Sequence, residues 1–574
     1  MSASAVVRLS PSGRAFIRYE GAGGLRRLQQ ALNRAGVKAE PDGPGLLVDL
    51  SSLAACRSAL EGWTLKAGPE VDAAEAQASF DLAWHSEALS VARTLAADPL
   101  TAAESLAGYA RVSDLDPHQV TAVAIASHPI VKGLCVFDEQ GLGKTVEALF
   151  SFDRLRDSGL AGRALVFAPK NMVLEWVHDL QRFFGGKYRG VAVVGDEREK
   201  RAALDGPCDL YVTNFETALQ LEIRLKQLLQ AERGLGLLIV DESFFVKNAD
   251  ARRTKALRRL RGHAGRCLVL CGTPAPNSAL DLVEQFNIAD GGQAFSGVDV
   301  PEDPSAARQV IGSTIEARGV YLRRLKGAVM PDLPHRTFNR VLVPMVGRQS
   351  ELYRAGRDGL LADLLATDEE GIRRNLASFS ARRAALLQLC SNPAAVDPDY
   401  AETPAKVEAL DRILEDLIGR RGEKVVLWSF FTASLELLAG RYAPYGAVRI
   451  DGTVTATADR REAVRRFQDD DRTMLFIGNP AAAGAGLTLH RARFSVYESM
   501  SNQAAHYLQS LDRIHRRGQT RPVEYVVLLC DQTIEEAEYD RLLRKEAEAQ
   551  ELLGDDIRRP PLRETFIAEL LGRP

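Results

Sequence analysis

Short β-branched and apolar runs alternating with helical stretches constrain this chain more than any other feature. The first series is GLCVFDE, ALVFAPK, CDLYVTN, GLLIVDE and CLVLCGT, between Gly133 and Thr273. A second series, KVVLWSF, AVRIDG, TMLFIGN, RFSVYES and VEYVVLL, runs from Lys424 to Leu529. Each run suits one buried strand, and the stretches between them suit crossover helices, the pattern of βαβ units in a parallel sheet. From about Asp290 to Asp399 the rhythm stops and Arg-rich helical segments take over. Ahead of both series, Arg14 to about Leu65 reads as a small α/β unit of two strands and two helices, followed by an Ala-rich helical connector. The expected fold class is α/β, with two parallel-sheet lobes, a helical insertion between them and a small N-terminal α/β domain. In residue terms these are an accessory domain with connector over 1–105, a first lobe over 106–290, an insertion and inter-lobe junction over 291–400, a second lobe over 401–545 and a tail over 546–574.

Composition narrows the class. Hydrophobic residues at 46% and charged residues at 26% exclude disordered and fibrous chains. A formal net charge of −3 means that any polyanion is held by local basic patches, which excludes histone-like coating. The seven cysteines form no CxxC pair and are expected as core residues of a reduced, intracellular chain without a zinc ribbon. No apolar run approaches the roughly 18 residues of a membrane span, and no secretory segment is legible, so the expected location is cytoplasmic.

Ligands of open α/β sheets bind beyond the carboxyl ends of the strands, and there the polar residues gather. DEQGLGKT, Asp138 to Thr145, is a P-loop with Asp138 where the strict pattern has glycine. Its glycines, Gly141 and Gly143, suit a tight turn whose N–H groups converge on phosphates at a helix N-terminus. Lys144 is then placed on the β- and γ-phosphates of ATP and Thr145 on Mg2+. GLLIVDES sets Asp241 and Glu242 directly after a strand, one carboxylate for the metal and the other for the attacking water. In LQSLDRIHRRGQTRP, Leu508 to Pro522, Arg513 and Arg516 are three apart and would share a helix face. As arginine fingers they reach the nucleotide only if the second lobe closes on the first.

In order, DEQGLGKT, VDES, LCGTPAPNS, AAAGAGLTL and QSLDRIHRRGQ resemble the motif series of the Swi/Snf family, the duplex-translocating branch of superfamily-two helicase-like ATPases. The similarity spans about Leu106 to Leu543, and HRRGQT resembles that family's own closing motif. It implies two RecA-like lobes. It also places Gln119 on adenine, whose edge an amide suits by donating and accepting, with Gly486 and Gln509 in the nucleotide-binding set. APKNMVLEW, with Pro169, Lys170 and Trp176, resembles the segment that touches the nucleic-acid backbone. Gly272, Thr273, Pro274 and Asn277 resemble the segment coupling ATP and DNA sites, and Ser429 with Phe430 the start of motif four. Asp451 and Gly452 resemble the DG turn, Gly484, Gly486 and Leu487 motif five, and Arg323, Arg324 and Lys326 the inter-lobe junction.

Four departures from the family pattern stand out. Phe244 replaces the histidine of the DExH box, whose contact relays hydrolysis to the other motifs. Cys271 and Pro276 replace a threonine and a glutamine in the coupling segment, and Asn171 replaces a serine in the backbone-binding segment. ESMSNQAAHY lacks the tryptophan and NP usual before Gln509.

The implied activity is an ATP-dependent translocase on double-stranded DNA, not sequence-specific, which remodels or displaces bound protein. Basic clusters at Arg252–Arg261 and at Arg373, Arg374, Arg382 and Arg383 suit phosphate contacts. The alternatives are an ATP-gated nucleic-acid clamp with weak hydrolysis, which Phe244 favours, and a strand-separating helicase. A nucleoid-associated location and partner proteins of a DNA repair or defence system go with the family. Arg in preference to Lys and abundant Ala point to a GC-rich bacterial genome.

Overall fold

The computed structural model describes residues 3–550 apart from 11–13, 21–23, 273, 276–277, 369–370, 372–373, 455–456, 484–486 and 501–503. Three sheets organise it. The N-terminal sheet holds β1 (Ser4–Leu9), β2 (Ala15–Tyr19), β3 (Glu40–Asp42), β4 (Gly45–Val48) and β5 (Thr64–Ala67), in the order β3-β4-β2-β1-β5. Its pairs are antiparallel except β1 with β5. Sequence reading began this unit at Arg14 and so passed over β1, whose alternation of buried Ala5 and Val7 is the usual mark of a half-buried strand.

The first lobe comprises β6 (Gly133–Val136), β7 (Ala164–Phe167), β8 (Gly190–Val193), β9 (Leu210–Thr213), β10 (Leu237–Val240), β11 (Arg266–Leu270) and β12 (Tyr321–Leu322). Their order is β12-β6-β11-β10-β7-β9-β8, every pair parallel. The second lobe comprises β13 (Arg336–Val343), β14 (Val425–Trp428), β15 (Val448–Ile450), β16 (Leu475–Gly478), β17 (Phe494–Tyr497) and β18 (Val523–Cys530), ordered β13-β18-β17-β14-β16-β15, again all parallel. β7, β9, β10, β11, β14, β16 and β17 are buried at every position because both faces are covered. In β10, Leu237 and Ile239 enter one core cluster and Leu238 and Val240 the other.

Residues 291–400 differ from the expected helical insertion. β12 is the edge strand of the first sheet and β13 that of the second, so the junction is woven into both lobes. Both were missed because a two-residue strand leaves no periodic signal, and β13 carries exposed Phe338 and Leu342 where a parallel strand is expected to be buried. The helices Gly347–Ala366 and Leu376–Ser391 pack on the second lobe, where Tyr353 Oη accepts from Ile534 N at 2.8 Å and Arg383 pairs with Glu538.

The N-terminal unit rests on the first lobe. Lys38 pairs with Asp299 at 2.7 Å, Ser51 shares a hydrogen bond with Ser296, and Asp49 accepts from Gly297 N at 3.1 Å. Its connecting helix, Pro69–Ala97, is tied down by Trp84 Nε1 donating to Ile130 O and by a 2.8 Å contact of His85 Nε2 with Arg318 O. All seven cysteines are buried thiols. Among the described residues no helix is long and apolar enough to cross a membrane.

The central strands hold the carboxyl ends in register, with Val240 level with Phe167 and Val269. Ile239→Ala is therefore expected to cost about 2–5 kcal/mol, while Leu219→Ala, on the exposed side of its helix, stays within about 0.5 kcal/mol. Denaturant midpoints of the two variants check this.

Candidate active site between the lobes

After β6 the chain turns through Asp138–Gly143, and the helix Lys144–Asp157 begins. Gly141 and Gly143 have φ of +85° and +92°, the left-handed region that glycine tolerates best. A Cβ on Gly143 would also lie 2.4 Å from Gln119 Nε2. The turn therefore closes tightly and aims the free N–H groups of a helix start beyond the strand. Lys144 is buried and donates to Asp138 O at 2.8 Å and Glu139 O at 3.4 Å, within its own turn. Thr145 is half-buried beside it.

β10 delivers the two carboxylates. Asp241 accepts from Trp176 Nε1 at 2.8 Å and from Glu242 N at 2.9 Å. Glu242 sits at φ +49°, a left-handed conformation that is costly for a residue with a side chain. Its carboxylate accepts from Gln140 Nε2 at 3.1 and 3.5 Å. Burial, then the neighbouring Asp241, pushes Glu242 up to about 7, against the pull of Lys144, the Gln140 bond and Arg513. Burial also raises Asp241, opposed by the Trp176 bond and Lys144.

The second lobe closes over this floor. The helix Ala504–Leu511 ends before the arginines, so Arg513 and Arg516 lie in the turns that follow it and not on one helix face as the spacing suggested. They converge all the same: both donate to Leu487 O at 3.1 Å. Arg513 also donates to the backbone carbonyl of Gln509 at 2.6 Å, and burial with Arg516 alongside pulls its pKa down to about 10, so it stays charged at neutral pH. Arg516 reaches the first lobe, its Cβ 3.8 Å from where a Cβ on Gly141 would stand. Further cross-lobe pairs are Arg517 with Asp116 at 2.6 Å and Arg461 with Glu175 at 3.3 Å.

The junction supplies the strongest link. Lys326 N donates to Glu139 at 2.7 Å, while Lys326 Nζ is paired with Asp512 and donates to His515 O at 3.0 Å. Both charged side chains of that pair are buried. Arg324 reaches the P-loop as well, binding Asp138 at 3.0 and 3.1 Å and Glu147 at 2.9 Å. Asp138, where the strict P-loop has glycine, is thus spent on a buried ion pair. Burial and Asp138 together raise Glu147 well above the usual carboxylate range.

Other expected site residues land elsewhere. Trp176 is fully buried on Asp241 and presents no surface to a nucleic acid. Ser429 is fully buried too, donating to Glu498 at 2.8 Å. Gln119 already accepts from Asp116 N at 3.0 Å and donates to Leu142 O at 3.2 Å, which leaves one N–H and one lone pair. Lys170 is exposed. Three cations of the basic helix Arg252–Arg261 are paired with acidic residues outside it, Arg259 with Glu222, Arg258 with Glu284 and Lys255 with Asp250. Arg382 pairs with Asp363 and Arg383 with Glu538, while Arg374 is exposed. Thr273, Pro276, Asn277, Arg373, Gly484 and Gly486 lie outside the described residues. Sequence reading missed Gln140 and Asp512; an amide inside a P-loop and an Asp preceding an arginine pair were the signals available.

The donor set suits Mg2+: a buried Asp241 at a strand end and the Thr145 hydroxyl offer the hard oxygen ligands that ion takes, beside a positive helix terminus for phosphate.

The SNF2-related domain matches residues 118–395 and the helicase conserved C-terminal domain residues 405–518. A probable chromatin-remodeling complex ATPase chain from Oryza sativa subsp. japonica is 28% identical over 437 residues, 71% of this chain and 38% of its own. An uncharacterized ATP-dependent helicase of Mycoplasma pneumoniae is 24% identical over 429 residues, 73% of this chain and 40% of its own. The Sulfolobus solfataricus SWI2/SNF2 ATPase core in complex with dsDNA is 20% identical, with a TM-score of 0.35 over 80% of this chain and 97% of that one. The chain spans about two fifths of the length of the curated relatives it matches.

Removing one partner of a buried pair strands the other. Lys326→Met is expected to cost roughly 3–5 kcal/mol, and adding Asp512→Leu to recover most of the loss. Denaturant midpoints of the single and double variants test it.

Proposed function

Because the chain belongs to the SNF2-related, SWI/SNF family of helicase-like ATPases, we propose that it hydrolyses ATP between its lobes and translocates on double-stranded DNA. The observation that carries this reading is the closed cleft: Arg513 and Arg516 converge on one carbonyl, and Arg516 stands against the P-loop turn.

In this reading Lys144 and the N–H groups of its helix start hold the β- and γ-phosphates, and Thr145 with Asp241 holds Mg2+. The metal supplies positive charge to the phosphates when bound. Trp176 fixes Asp241, and Glu242 orients the attacking water and takes its proton. Arg513 and Arg516 stabilise the charge that develops on the transferred group, a contribution of roughly 10³–10⁵ in rate for an arginine finger. The free N–H and lone pair of Gln119 serve the base edge, beside a cavity of about 960 Å³ lined by Pro117, His118, Thr121, Tyr321 and Arg323. Lys170, exposed after β7, is offered to the DNA backbone, where contacts carry no sequence information. Relatives described as chromatin-remodelling ATPases support duplex DNA as the polymer.

A second reading, an ATP-gated clamp with slow hydrolysis, draws on Phe244, which is buried and stacked on Phe245 at 4.5 Å where the family has a histidine.

Steady-state hydrolysis with duplex DNA, single-stranded DNA or RNA separates the two. Strong stimulation by the duplex alone is expected of the translocase; a slow rate indifferent to all three supports the clamp. In the same assay Lys144→Ala should lose roughly 10²-fold or more of turnover while DNA retention persists. Unchanged turnover in that variant removes the site assignment.

A further inference from the structure

We infer that Gln140 is a positioning residue for hydrolysis: it fixes the Glu242 carboxylate and ties it to the backbone of the coupling segment at Gly272. The inference rests on the proposed role of Glu242. Gln140 Nε2 lies 3.1 Å from one Glu242 oxygen and 3.5 Å from the other, so one amide spans the carboxylate. The same amide is pressed against Gly272, the second residue after β11: a Cβ there would lie 2.4 Å from Gln140 Cδ and Nε2. A shift of the Gly272 backbone toward Gln140 is met by the same amide that holds the Glu242 carboxylate.

The box offers no substitute contact to that carboxylate. Phe244 has no polar atom and lies in a stack with Phe245, which stacks in turn on Phe215 at 5.4 Å. Ser243 donates to Gln285, which donates to Pro274 O. That chain joins the box to the coupling segment but bypasses Glu242. Among the described residues Gln140 is the side chain that touches both the water-orienting carboxylate and the coupling segment, where the box histidine is replaced by an aromatic ring. It thereby gives the chain a packing contact at the coupling segment and a hydrogen bond at the carboxylate on one side chain.

Gln140→Met keeps the length of the side chain and removes the donor; Gln140→Glu keeps the shape and sets an anion against Glu242. Duplex-stimulated kcat, KM for ATP and the thermal unfolding midpoint are measured for both, with Glu242→Gln as reference. Gln140→Met is expected to lose roughly tenfold in kcat, the order of a modest misplacement, with KM and midpoint held, and Gln140→Glu to lose more. Gly272→Ala should reproduce the kcat loss in the parent yet add little to Gln140→Ala, where its methyl group finds space. A Gln140→Met kcat within about twofold of the parent, or a loss matched by a raised KM or lowered midpoint, overturns the inference. Turnover that survives in Glu242→Gln would instead overturn the reading of the site, whatever Gln140 does.

Discussion

The buried pair of Lys326 and Asp512 is the contact on which the closed cleft depends. Lys326 belongs to the junction that follows the edge strand β12, and Asp512 precedes Arg513 in the turn of the second lobe. Taking both charges out of water costs several kcal/mol per ion, repaid only where geometry and further hydrogen bonds are good. Lys326 has them: Asp512 and His515 O on its ammonium and Glu139 on its amide. One residue therefore touches the P-loop and the arginine turn together. That arrangement makes the relative position of the lobes a property of the proposed nucleotide site itself.

Around this contact the site is built from charges and amides that hold one another in place. Arg324 neutralises Asp138 and Glu147 behind the P-loop, Trp176 orients Asp241, and Gln140 orients Glu242. Such preorganisation matters because phosphoryl transfer is catalysed by positioning and charge, with little covalent work for the protein. The price is paid in conformation at Glu242, whose left-handed φ is sustained by the strand before it and by the bond to Gln140.

Much of this was legible in the sequence. The apolar runs located the central strands of both lobes, the polar residues at their ends located the P-loop and the carboxylates, and the Arg-rich stretch Leu508–Pro522 located the arginines. What the sequence hid has physical causes. Trp176 itself reads as part of the nucleic-acid-binding segment, and only the packing of its helix shows the indole turned inward onto Asp241. Ser429 likewise closes a buried strand end instead of facing outward. The Arg252–Arg261 run reads as a basic patch, yet its partners Glu222 and Glu284 are distant in sequence and meet it only in the fold. The strand β12 was hidden because two residues carry no periodicity, although it fixes Arg324 and Lys326 against the P-loop. Spacing alone gave Arg513 and Arg516 a shared helix face; the helix stops at Leu511, and the shared carbonyl of Leu487 does the work instead.

The most direct test of cleft closure is a comparison of ATP binding and single-turnover hydrolysis in Arg513→Ala with duplex DNA present. If the second lobe completes the site, nucleotide affinity stays within a few-fold while the hydrolysis rate falls by roughly 10³ or more. Hydrolysis at the parental rate would contradict the account, because the carboxylates and P-loop of the first lobe would then suffice alone.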